Sequence, residues 1–254
     1  LIDPSVLLCL IVLLPGALCS TIGIGWLLGW DPEERLVARL TTGCYALCAI
    51  ALAWLVATML TLGQHRVVAD LGNWFQVEHH HFPLALVADR LSVPFLALSV
   101  ILVGVVAVFS VRYMHREPGF QRFFLLLNLF GFGVLVLFAA GSFDLLIVGW
   151  ELVGLTSVLL IAYFQHRPEP VGNALRVFAV YRACDVGLLT GVVLLHRQAG
   201  TTEFSLLIPG DWPAVGGPLD GKPVAILGFL FLLAGMGKAA QVPFSGWLPR
   251  AMEG

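Results

Sequence analysis

The sequence predicts an all-α integral membrane protein of about seven transmembrane helices, the seventh of them broken. Two observations carry that reading. The 254 residues are 59% hydrophobic and 12% charged, about half the roughly 25% charged share of soluble domains. The apolar residues also gather into runs close to the ~20 residues a helix needs to cross a bilayer. Barrel strands need only about ten alternating residues, so run length favours helices. A net charge of −2 and the absence of any basic tract speak against nucleic acid as a partner.

The runs lie at 5–29, 36–62, 91–111, 123–141, 144–164, 174–196 and 223–242. Leu1 opens the chain, so the expectation is a missing initiator residue; no basic segment precedes the first run, which speaks against a signal peptide. Cys9, Cys19, Cys44, Cys48 and Cys184 all fall inside apolar runs and read as small buried hydrophobes. Between the second and third runs, Asp70 to Pro83 is polar and aromatic; between the sixth and seventh, Gly200 to Pro223 is rich in Gly, Pro and Asp. Both read as surface covers. Loop cations set the orientation. With the N-terminus outside, the inner loops hold Arg35, Arg39, Arg112, Arg116, Arg122, Arg167 and Arg176, against Arg66, Arg90, Arg197 and Lys222 outside.

Four ionisable residues interrupt the last three runs. Charge at bilayer depth costs roughly 2.5–3.5 kcal/mol on insertion scales, which makes each a functional candidate. Glu151 stands mid-run in LLIVGWELVGLTSVLL, with Gly154 and Ser157 on its face. It is either a proton-handling carboxylate or one half of a static interhelical contact. Arg182 and Asp185 are three apart and share one helix face, either as a structural ion pair or as a coupling element. Lys238 follows Gly235 and Gly237 and precedes Pro243. Proline cannot donate to the carbonyl of Ala239, so the helix is expected to break between Gly237 and Pro243. Freed carbonyls at such a break need protein or water partners, and a lysine there can load and release a proton or simply cap the end. The run His79, His80 and His81 cannot converge on one metal from an extended backbone, and no metal site, cofactor fingerprint or catalytic triad is visible.

Five stretches resemble the antiporter-like membrane subunits of respiratory complex I (NuoL-type) and their relatives in Mrp cation/proton antiporters. They are ADRLSVPFLALSV (88–100), RYMHREPGFQRFFLLLNLF (112–130), LLIVGWELVGLTSVLLIAYF (145–164), NALRVFAVYRACDVGLL (173–189) and GMGKAAQVPFSGWLPRAMEG (235–254). The resemblance implies the N-terminal part of an antiporter-like fold, with residues 88–254 as translocation core and 1–87 as a two-helix region with an outer loop. By the same resemblance Glu151 and Lys238 are the proton-relay pair, and Arg182 and Asp185 the pair that couples neighbouring units. Gly235, Gly237 and Pro243 make the helix break.

Two departures stand beside it. Arg250 occupies the position where respiratory members commonly carry Asp, and the chain stops at Gly254, inside a motif that family members continue past. The expectation is therefore a truncated chain or a split subunit. The implied function is that of a proton-conducting subunit of NADH:quinone oxidoreductase type, in a bacterial inner membrane with other membrane subunits as partners. The alternatives are a DabB-type subunit coupling a proton or sodium gradient to a soluble zinc-bearing, carbon dioxide-hydrating partner, an Mrp-type antiporter, and a membrane scaffold. This chain by itself has no residues for catalysis, cofactor or metal.

Overall fold

The computed structural model describes residues 3–77, 80–207 and 222–252. Among these residues six helices are long and apolar enough to cross a membrane: α1 (Pro4–Leu27), α2 (Glu34–Leu62), α3 (Ser92–Tyr113), α4 (Phe120–Ala139), α5 (Phe143–Ile161) and α6 (Pro168–Ala199). A four-residue turn of helix, α7 (Phe204–Leu207), follows. The seventh apolar run is helical only over α8 (Lys222–Lys238), a 17-residue helix. A 3₁₀ turn at Ser245–Trp247 and the short α9 (Leu248–Ala251) end the described chain. The chain is thus an integral membrane protein, with six full spans and a shorter seventh among the described residues.

Helix ends follow local chemistry. Asp3 caps α1 by accepting from the Ser5 amide at 3.0 Å, and that hydrogen bond holds its exposed carboxyl below the usual carboxylate range. α2 and α6 stop at Gly63 and Gly200, both in the left-handed region that suits glycine (φ 63° and 70°). Between α2 and α3 the polar segment read as a loop is instead a two-stranded hairpin, β1 (Arg66–Val77) and β2 (His80–Asp89). Alternation is weak there, so the pairing left little trace in the sequence. Asp89 then turns the chain into α3: its Oδ1 accepts from the amides of Leu91 and Ser92 at 2.9 and 2.8 Å, while its own amide donates to Ser92 Oγ at 2.8 Å. Most of the Gly200 to Pro223 segment, at 208–221, lies outside the described residues.

Contacts divide the chain into two compact units, Leu1–Asp70 with Ala85–Ala140 and Val148–Thr156, and Leu71–Leu84 with Gly141–Ile147 and Ser157–Gly254. In the first, α1 packs on α2 and α4, and α3 on α2 and α4. Phe124, Leu8, Ile11, Leu55 and Leu96 are wholly buried there. Pro15 sits inside α1; lacking an N–H, it leaves the Ile11 carbonyl without its helical donor. The buried Cys48 thiol on α2 donates to that oxygen at 3.6 Å. A second polar contact ties α2 to α4, where Asn128 Nδ2 donates to Thr41 Oγ1 at 3.0 Å. In the second unit the principal contact is α6 against α8.

Candidate functional site

Small residues bring α6 and α8 together. A Cβ added at Gly187 would lie 2.6 Å from the Leu230 carbonyl oxygen, and one at Gly237 would lie 2.5 Å from the Cys184 Cβ. Gly191 likewise faces the Phe231 ring. Cys184, Gly187 and Gly191 recur at helical spacing, so α6 presents a shallow stripe into which α8 settles.

That stripe runs beside the charged residues of α6. Arg182 Nη2 and Asp185 Oδ2 are 2.9 Å apart, with Asp185 2% exposed and Arg182 39%. The guanidinium also lies over the Phe178 ring, 5.4 Å from its centroid. Spacing alone brings these two together, since i and i+3 share a face.

α8 ends at Lys238. Ala239 still donates to the Gly235 carbonyl at 2.9 Å; Gln241 then reaches back to Met236 at 3.0 Å, and Ala240 adopts a left-handed φ of 51°. The Val242–Pro243 bond is cis. Beyond the turn, Trp247 folds back and its Nε1 donates to the Gly237 carbonyl at 2.9 Å. Trp247 also packs on Tyr181 of α6, edge to face at 5.2 Å. Lys238 Nζ lies over that tyrosine, 5.5 Å from the ring centroid. Gly235, Gly237 and Pro243 thus flank a turn at which a lysine, an indole and a tyrosine ring meet.

Glu151 belongs to the stretch Val148–Thr156 of the first unit and is half-buried. Its turn of α5 is pressed on α4: a Cβ at Gly149 would meet the Leu137 backbone nitrogen at 2.5 Å, and one at Gly133 the Leu152 Cβ at 2.8 Å. Lys238, Arg182 and Asp185 belong to the second unit.

One cluster escaped the sequence reading. Asp144, in the first turn of α5, faces His196 Nε2 from the last turn of α6 at 3.0 Å and accepts from Thr202 Oγ1. The Phe82 ring lies 5.3 Å from the imidazole, and a pocket of about 200 Å³ opens beside Asp144, lined also by Trp74 and Leu145. Asp144 is 52 positions from His196 and 58 from Thr202; the one local signal was an acid just after the capping Ser142, where a helix N-terminus favours negative charge. His115 pairs with Glu34 at 2.8 Å. In the run His79 to His81, His79 lies outside the described residues.

The family model described as "NADH:quinone oxidoreductase/Mrp antiporter, TM" matches residues 140–254, and the one described as "NADH-Ubiquinone oxidoreductase (complex I), chain 5 N-terminus" matches 74–124. NADH-quinone oxidoreductase subunit L of Mycobacterium tuberculosis is 35% identical over 216 residues, covering 82% of this chain and 33% of its own length. The Escherichia coli K12 protein of the same name is 30% identical over 226 residues, 87% of this chain and 36% of its own. Among solved structures, a chain of the Mrp complex from Dietzia sp. DQ12-45-1b superposes with a TM-score of 0.74 at 27% identity, over 96% of this chain and 25% of that one. The chain therefore spans about a third of the length of the curated relatives it matches. Nothing in these comparisons favours the inorganic-carbon branch.

Proposed function

The chain belongs to the NuoL-type antiporter-like family of membrane subunits, and on that premise we propose that it forms part of a proton-conducting subunit in an energy-coupled complex of the NADH:quinone oxidoreductase kind. The observation that carries the proposal is the end of α8. A helix apolar from Pro223 to Gly237 stops at Lys238, and the turn beyond folds an indole back onto it. Irregular backbone at membrane depth is tolerated where it is buried in protein or lines a wet cavity, and a cation there needs a reason.

In this reading Lys238 takes up a proton and passes it on, with Glu151 as its carboxylate partner. A nearby carboxylate strengthens the lysine's hold on the proton; its withdrawal loosens that hold. Arg182 and Asp185 supply the trigger: with their ion pair closed they neutralise one another, and opening it shifts charge along α6 toward the lysine's end of α8. The other subunits of the complex provide the energy, since this chain brings only the ion path. The N-terminus faces outward across a bacterial inner membrane, as the loop arginines favour, and residues 88–254 form the working core.

The test replaces Lys238 by Met and Glu151 by Gln in the full-length protein within its complex. Both changes keep approximate size and remove charge. Subunit content stays normal, while proton transport in sealed vesicles is lost with Lys238→Met and reduced with Glu151→Gln. Wild-type transport by the methionine variant would remove the relay.

A further inference from the structure

We propose that the ring of Tyr181 is a charge-dependent docking face for Lys238, occupied while the lysine carries its proton and released when the proton leaves. This rests on the reading of Lys238 as a relay and adds the device that positions it.

The geometry has a fixed part and a movable part. Tyr181 is the fixed part: 5% exposed, it packs with Val158, Ala174 and Val177 and takes the edge of Trp247 at 5.2 Å and 84°. Trp247 is itself anchored, since its Nε1 donates to the Gly237 carbonyl at 2.9 Å. One indole therefore braces both the tyrosine ring and the backbone immediately before the lysine. The register between ring and Cα is set by that brace and by the close approach of Gly237 to Cys184. The movable part is the four-carbon stem of Lys238, which places Nζ 5.5 Å from the ring centroid, inside the roughly 6 Å range of cation–π attraction.

The chemistry of the contact depends on charge. The negative face of an aromatic ring attracts an ammonium through its quadrupole, and a neutral amine lacks the full charge on which that attraction depends. A leucine at 181 would fill the same space without that distinction. Asp185, one turn further along α6, is engaged by Arg182 at 2.9 Å, so the acid and the ring occupy successive turns of one helix. The lysine that has lost its proton loses its attraction to the ring and swings on its stem. Departure of the proton and movement of the side chain are then one event.

A shape-preserving series tests this in the full-length protein within its complex. Position 181 is changed to Phe, to Leu, and to phenylalanines bearing increasing numbers of ring fluorines, which drain the negative face while keeping the ring. Proton transport in sealed vesicles is measured alongside subunit content, with Lys238→Met as a parallel arm. Tyr181→Phe retains wild-type transport, and the fluorinated series declines step by step. Its total fall is roughly twofold to thirtyfold, the span of cation–π attraction expressed as an equilibrium factor. Tyr181→Leu falls at least as far as the most fluorinated ring, and if it fails to assemble, the fluorinated series alone decides. A flat series overturns the docking face. Loss of transport in the methionine arm beside a flat series leaves the relay standing, whereas wild-type transport in that arm removes the relay itself.

Discussion

α1 and α8 both carry an interruption in their hydrogen-bond ladder, and they resolve it differently. In α1, Pro15 deprives the Ile11 carbonyl of its donor, the Cys48 thiol supplies a weak one at 3.6 Å, and the helix runs on to Leu27. In α8 the helix stops, the Trp247 indole caps the Gly237 carbonyl at 2.9 Å, and a lysine stands at the end. A membrane helix can therefore tolerate a lost bond cheaply when all it has to do is continue. The costlier arrangement, with a half-buried indole, a turn and a charge, is found where a side chain has something to carry. Replacing buried ions by apolar residues is often neutral or stabilising, so cohesion alone is a poor reason for Lys238.

The contrast can be broken at three places. The largest effect is expected from Gly237→Val. Its Cβ would meet the Cys184 Cβ, an atom fixed to the α6 backbone, and overpacking of this kind costs about 3 kcal/mol. Heating the solubilised complex and following retention of this chain measures it; an unchanged midpoint would show that α6 and α8 are not held at this spacing. Next comes Trp247→Phe, which keeps a ring against Tyr181 but removes the donor to Gly237. A carbonyl losing its side-chain partner costs about 1–2 kcal/mol, at the lower end here because the Ala240 amide also reaches that oxygen at 3.4 Å. The same heating assay should place this variant between Gly237→Val and the third. Cys48→Ala is the smallest, about 1 kcal/mol or less, because S–H···O contacts are weak. A loss at Cys48 larger than at Trp247 would reverse the comparison.

Much of this architecture was legible in the sequence because it is local. The seven apolar runs mark, among the described residues, six full spans and the shorter α8. Arg182 and Asp185 could be paired on paper, since a spacing of three places them on one face. Features that depend on partners distant in sequence were not legible. Pro15 lay inside an apolar run read as unbroken, and nothing in that run points to Cys48 as the group that serves its orphaned carbonyl. Asp144 and His196 sit at opposite ends of consecutive helices and meet only once α5 and α6 have turned back. Nothing near Tyr181 or Trp247 in the chain marks the first as lying under the lysine's ammonium or the second as tethering its backbone. The hairpin, too, was hidden, because strand pairing shows in sequence only where one face is consistently apolar.

The unequal lengths of α6 and α8 have a consequence for the surrounding lipid. At 1.5 Å per residue, the 32 residues of α6 extend to about 48 Å and the 17 of α8 to about 26 Å, against a hydrocarbon layer of about 30 Å. No single bilayer thickness matches both. α6 has length to spare and can absorb a thicker membrane by changing its tilt. α8 is already short, and the chain reverses just beyond Lys238. Mismatch with longer acyl chains therefore falls on that joint before it strains any other part of the pair, which makes the lysine's setting responsive to membrane thickness.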